Sequence, residues 1–318
     1  WAVRKSRTPS CPRSFRRACF AALSIAFLAL ASGCDGGEAR PSELEALERL
    51  AFVPAGQLAL ATGGGNVVFQ VREPLLFERF EVRREDWLER EAELGPRSPE
   101  LDAFISSWDP GERDLPATFM TQREAQRFAQ LRGMRLPTAS EWIFASAGPQ
   151  RLPFPWGATR QKGVANTLEL EFGRLAPCGA FETGRSAHGV YDLHGNAAEW
   201  TADLAPGLER RDPDDRVSVL GGSFRTYSRP LLVSEIEPFG KALSPLARAD
   251  DIGFRCCVEA GAYLSTRLHE LELDSRTRQR LVAIGRRWGR RALPLLSELA
   301  TRPNAAPALR VLAEGAAQ

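Results

Sequence analysis

Tyr191-Asp192-Leu193-His194-Gly195-Asn196-Ala197-Ala198-Glu199-Trp200 is the stretch on which the fold reading turns. Downstream come Val219-Leu220-Gly221-Gly222-Ser223-Phe224 and then Gly253-Phe254-Arg255-Cys256. Upstream lies Met134-Arg135-Leu136-Pro137-Thr138-Ala139-Ser140-Glu141-Trp142, with Pro155-Trp156-Gly157 between. Local signals place these strings. Thr138 with Glu141, and before them Thr121 with Glu124, have capping-box spacing, so a helix starts after each threonine. Ala125, Phe128, Ala129 and Leu131 supply the apolar face of the first, and Gly133 ends it. Phe77 to Val82 alternates like a strand, and Arg84-Glu85-Asp86-Trp87 opens another helix.

Together and in this order, the strings resemble the formylglycine-generating enzyme (sulfatase-modifying factor) family. That family often reads G-L-Y-D-M-x-G-N-x-W-E-W, then R-G-G-S-W/F, then G-F-R, after an earlier R-L-P-T-E-A-E-W-E-x-A and P-W-G. Phe52-Val53-Pro54-Ala55-Gly56 resembles the opening V-P-G-G-x-F, and Ala165-Asn166 a further landmark. The resemblance runs from about residue 52 to 257. It implies an α+β fold with a C-type-lectin-like core and much irregular structure.

The resemblance also implies chemistry, and the chain departs from it. Family enzymes are thought to oxidise a substrate cysteine with O₂ at a copper ion held between two thiolates, soft ligands that suit monovalent copper. Counting on from Gly221, those positions carry Leu231 and Ile236, and no cysteine lies between residues 179 and 255. No catalytic residue is therefore assigned, and copper is not expected. A structural calcium site is expected. The matching residues are Asp192, the carbonyls of Gly195 and Ala197, and Glu199, hard oxygens of the kind calcium takes in sets of six to eight. The competing reading is a loop held by hydrogen bonds alone, with Glu199 paired to an arginine. Arg225, Tyr227 and Arg229 match the lining of the family's substrate groove, or else are ordinary surface. His188 and His194 read as loop residues rather than ligands.

Composition bounds the rest. The 318 residues are 43% hydrophobic and 26% charged, ordinary for a globular chain. Charge is uneven: residues 1–33 carry six basic residues and no acid, and residues 261–318 hold ten arginines against five acids. The stretch between is acidic, so nothing resembles a nucleic-acid footprint over the main domain. No G-x-S-x-G, Walker A or C-x-x-C occurs, which leaves hydrolase, NTPase and dithiol-redox readings without support.

The basic start is followed by an apolar run from Ala18 to Ala31, too short to span a bilayer comfortably. It ends in Leu30-Ala31-Ser32-Gly33-Cys34, which resembles a bacterial lipobox. The expected organisation is a lipoprotein signal over 1–33, a tether and short helix over 34–50, the main domain over 51–260 and a helical extension over 261–318. Ser42 and Glu45 cap the short helix. The extension reads as a single HEAT-type hairpin or as a helical cap on the main domain. One repeat cannot bury its own face, so the cap is the expectation. The whole reads as a lipid-anchored protein of the bacterial cell envelope, attached to the membrane through Cys34. Its domain would act as a non-catalytic module for an unidentified protein or small-molecule ligand. The alternative is an oxidoreductase of the same family.

Overall fold

The computed structural model describes residues 42–62, 65–204, 216–231 and 240–318. The segment expected to be a leader, Cys34 and Ile236 lie outside them. The chain begins with α1 (Glu43–Glu48), β1 (Leu50–Val53), β2 (Gly56–Thr62), β3 (Gly65–Val71) and β4 (Leu75–Glu78). Helices α2 (Arg84–Leu88), α3 (Glu91–Leu94), α4 (Pro99–Ser106), α5 (Gln122–Leu131) and α6 (Ala139–Ala147) follow. Then come β5 (Ala198–Trp200), β6 (Val217–Leu220), β7 (Gly240–Leu243), β8 (Ile252–Gly253) and β9 (Cys257–Glu259). The chain closes with α7 (Ala260–Arg267), α8 (Ser275–Trp288), α9 (Leu293–Thr301) and α10 (Pro307–Ala317).

The caps work as their spacing requires. Ser42, Thr121 and Thr138 each accept from the backbone three residues on, and Glu45, Glu124 and Glu141 return the bond. Each pair satisfies two backbone donors that a helix start leaves open. Helix α5 buries Ala125, Phe128 and Ala129. Phe128 stacks on Trp87 with centroids 5.4 Å apart, and Phe254 meets Phe128 edge-on at 5.5 Å.

The expected strand over Phe77–Val82 is corrected. Strand β4 occupies Leu75–Glu78, and the chain bends at Arg79 and Phe80. The alternation misleads because β4 is the middle strand of β1-β4-β9 and buries all four residues. A strand covered on both faces has no polar side to alternate with. Glu81, beyond the bend, turns inward instead.

A second sheet, ordered β7-β6-β5-β8, is built from strands of two to four residues. Its β5–β8 pair is parallel and brings Glu199 opposite Gly253. Between α6 and β5, residues 148–197 contain only two single 3₁₀ turns. That irregular backbone carries the site loop.

The C-terminal helices cap the domain. Trp288 of α8 is fully buried, donates from its indole to the Leu50 carbonyl at 3.0 Å and lies 6.0 Å from Phe52. Arg280 holds Glu48 of α1 through two bonds of 2.7 Å. Helix α10 packs along α8, where Gly285 and Gly315 leave the two backbones in direct approach.

Candidate functional site

The loop before β5 is shaped by three residues with left-handed backbone: Asp192 (φ 57°), Gly195 (φ 86°) and Asn196 (φ 56°). At Gly195 a Cβ would lie 2.3 Å from the Asn166 carbonyl oxygen, so no larger residue fits. Asn196 tolerates its conformation because its amide is fully used. Its Oδ1 accepts from Asn166 Nδ2 at 3.0 Å and from Ala176 N–H at 2.9 Å, and its Nδ2 donates to Glu81 Oε2 at 2.9 Å.

Under this loop lies a buried charge network. Arg255 donates from Nε to Glu199 Oε2 at 2.7 Å, and its Nη2 reaches Glu199 Oε1. The same guanidinium donates to the carbonyls of Tyr191 at 2.8 Å, Glu78 at 3.1 Å and Arg79 at 3.2 Å. Trp142 of α6 adds an indole bond of 2.8 Å to Glu199 Oε2. Glu81 accepts from Ala197 N–H at 2.9 Å, and Asp192 Oδ2 from Gly179 N–H at 2.6 Å. Arg255 and Glu199 are completely shielded from solvent.

Three carboxylates thus share one guanidinium, and the balance shows in their ionisation. Burial, then the charges of Asp192 and Glu199, push the Glu81 carboxyl well above the ordinary range. Burial pushes Asp192 up to about 6. Burial works against the charge of Arg255, but Glu199 foremost, with Glu81 and Asp192, holds its guanidinium above the usual value. Buried negative charge in excess invites either protons or a cation.

The donor set suits calcium in kind: hard carboxylate and carbonyl oxygens in surplus over internal cations. Among the described residues, no three Asp, Glu, His or Cys side chains are arranged to hold a metal alone. The carbonyls of Gly195 and Ala197 would therefore have to complete any shell. Glu199 also realises the competing expectation, since it pairs with an arginine. Glu81 and Arg255 are the site residues that the spacing of the loop did not single out. The available signal was a charge wedged into an apolar run, Phe80-Glu81-Val82 and Phe254-Arg255-Cys256.

Arg225 pairs with Asp250, with 2.9 Å from Nη2 to Oδ2, and lies over the Phe224 ring. Tyr227 is 66% exposed and Arg229 is exposed beside it. Leu231 is buried, with its N–H donating to the Pro153 carbonyl at 2.7 Å. Cys178, Cys256 and Cys257 carry free thiols. Burial pushes all three thiols well above their ordinary value, with Glu81 and Asp192 adding to it at Cys178 and Glu78 at Cys256. His188 and His194 are buried, which holds them neutral with pKa values of about 4 and about 3. His194 Nε2 lies 2.8 Å from Ser228 Oγ and its ring meets Trp156 edge-on.

This geometry can be set beside known proteins. A family model described as "Sulfatase-modifying factor enzyme 1-like domain" matches residues 43–260. The chain is 28% identical over 165 residues to the inactive C-alpha-formylglycine-generating enzyme 2 of Bos taurus, covering 46% of this chain and 52% of that one. It is 36% identical over 170 residues to the formylglycine-generating enzyme of Bos taurus, covering 46% and 44%. It thus spans about half the length of these curated relatives. Among solved structures, variable protein 1 of Treponema denticola aligns with a TM-score of 0.50 at 16% identity, covering 66% of this chain and 94% of that one. That likeness concerns the fold alone. With the match over 43–260 covering most of the molecule, the chain belongs to the sulfatase-modifying factor enzyme 1-like domain family.

Proposed function

We propose that this protein is a non-catalytic member of its family, a lipid-anchored binding or scaffold module outside the cytoplasm. The observation that carries this reading is the state of the cysteines. Of the three in the described residues, Cys256 and Cys257 are fully buried and Cys178 partly so, and burial raises the pKa of each thiol, whereas copper is bound by thiolate. Leu231, at the position matching one family thiol, offers no lone pair. The expected result is that purified protein, given copper, reductant and a C-x-P-x-R peptide, forms no aldehyde detectable by mass spectrometry. Multiple turnovers that vanish in Cys256→Ser or Cys257→Ser would restore the oxidoreductase reading.

Calcium is proposed as a structural cation of the site loop, held by Asp192 and Glu199 with the Gly195 and Ala197 carbonyls. What supports it is the surplus of buried carboxylates over guanidinium. The ion would neutralise that surplus and tie the loop to β5. A ligand bound only by the folded state raises the melting midpoint. Chelation is expected to lower the midpoint, and calcium, but not magnesium at equal concentration, to restore it. Identical midpoints with and without chelator argue for a metal-free loop neutralised by protons.

The anchor is proposed at Cys34. One lipid chain binds a membrane only marginally and stable attachment takes more than one, which bacterial lipoprotein processing supplies. Cys34→Ala is expected to abolish incorporation of labelled fatty acid and to release the protein from membranes. Labelling that survives the substitution removes the anchor from this reading.

A further inference from the structure

The helical extension does more than cover the domain. Where the junction of α8 and α9 meets the loops around residues 152–156 and 182–189, it forms one wall of an open cleft of about 570 Å³. Arg185, Arg287, Arg291, Glu182, Trp156 and Leu152 are among the residues that line it. Arg287 and Arg291 belong to the extension, outside the family match that ends at residue 260.

The arginines here are bound in an unusual way. Arg287 donates from Nη2 to the Glu48 carbonyl at 2.8 Å, and Arg291 donates from Nε to the Trp288 carbonyl and from Nη1 to the Ala187 carbonyl, both at 2.8 Å. Neither is in an ion pair among the described residues, although the charge of Glu48 acts on Arg287 and is itself held by Arg280. Arg287 Nε is buried with no hydrogen-bond partner. Burial, then the neighbouring charge of Arg79, lowers Arg287 to about 10, and burial lowers Arg291. Glu182, the acid in the lining, is engaged by the Tyr191 hydroxyl and by Arg185 at 3.1 Å. His188 touches Arg291 but stays neutral. Three guanidiniums against one carboxylate leave the lining at +2. A cavity of similar size around Arg135 differs, because Glu141 and Glu259 already neutralise that arginine.

We propose that this cavity binds a phosphate monoester, its phosphate held by Arg287 and Arg291 and its organic part against Trp156 and Leu152. Each guanidinium keeps Nη hydrogens beyond the carbonyl bonds named, and charge-assisted bonds from them to phosphate oxygens are strong. A phosphate monoester carries close to two negative charges at neutral pH, which equals the surplus of the lining, whereas a sulfate ester or carboxylate carries one. The volume falls in the range of small-molecule sites, and the half-buried Trp156 and Leu152 give the ester's body an apolar surface to pack on. The cleft shares no lining residue with the Arg225 turn or with the carboxylate network. Its fate is therefore independent of the aldehyde and chelation results.

The test is titration calorimetry of the purified full chain at pH 7.5 with phenyl phosphate, phenyl sulfate and inorganic phosphate at matched ionic strength. Saturable binding of phenyl phosphate is expected, with the other two at least about tenfold weaker. Arg291→Gln should weaken phenyl phosphate about tenfold, the loss of one charge-assisted pair. Because Arg291 also holds the Ala187 carbonyl, Arg185→Gln is the second variant. Its side chain is 50% exposed, so it leaves the fold intact, and it should weaken binding in the same direction. No saturable heat from phenyl phosphate overturns the proposal, as does affinity unchanged in both variants. Phenyl sulfate binding as tightly overturns the charge match, and inorganic phosphate binding as tightly overturns the role of the apolar wall.

Discussion

Arg255→Met is expected to destabilise the protein by about 3–5 kcal/mol, the cost of removing one partner from a buried ion pair. The reason is that the partner remains. Glu199 would stay fully buried with the Trp142 indole as its one other polar contact among the bonds described, and Glu81 and Asp192 would lose the nearest positive charge. The carbonyls of Glu78, Arg79 and Tyr191 would each lose one donor as well, that of Arg79 keeping the Tyr191 N–H. These lost bonds place the expected loss toward the upper end of that range. Arg255→Lys should recover little, because one ammonium cannot replace a planar fork that reaches Glu199 and three carbonyls at once. Urea denaturation of both variants checks this. A loss below about 1 kcal/mol for Arg255→Met would mean that the carboxylates are neutralised by something other than this guanidinium.

The same residues show what could be read in advance. The helix starts at Ser42, Thr121 and Thr138 were legible because a capping box is local, with cap and partner three residues apart. The short strands were not. The two residues of β8 carry no periodicity, and their pairing with β5 depends on contacts about fifty residues away. Asp192 and Glu199 stood out by their place in the loop. Glu81 and Arg255 did not, since the bonds that join them to it cross 115 and 56 residues of sequence. Both sit in apolar runs, where an isolated charge is too costly to keep without a partner. That cost was the legible clue to a network, although not to its members. The arginine-lined cavity was beyond reach for a different reason. It exists only after α8 has docked on β1, and the position of a docked helix is a property of the fold.

That docking leads to the last expectation. Gly285→Ala should destabilise the protein by about 2 kcal/mol, and Gly285→Val by more, although alanine favours a helix over glycine by about 1 kcal/mol. A Cβ at Gly285 would lie 2.2 Å from the Leu312 carbonyl oxygen and 2.9 Å from Ala316 N, both backbone atoms of α10. On the facing helix, a Cβ at Gly315 would lie 2.3 Å from the Val282 carbonyl oxygen. Side chains can rotate away from such contacts, but helical backbones can only separate. Overpacking of this kind costs about 1–3 kcal/mol before any wider rearrangement. Separation would also pull on Trp288, which sits one turn from Gly285 and anchors α8 to Phe52 and the Leu50 carbonyl. Gly261→Ala in α7 supplies the contrast. Its Cβ would meet only Leu295 Cδ1, at an ordinary 3.7 Å, so the substitution should be neutral or stabilise by about 0.5 kcal/mol. Chemical denaturation of the two alanine variants separates the effects. A gain at both positions would show that α8 and α10 do not need their close crossing. A loss at Gly285 alone would identify that crossing as what holds the cap, and with it Arg287 and Arg291, against the domain.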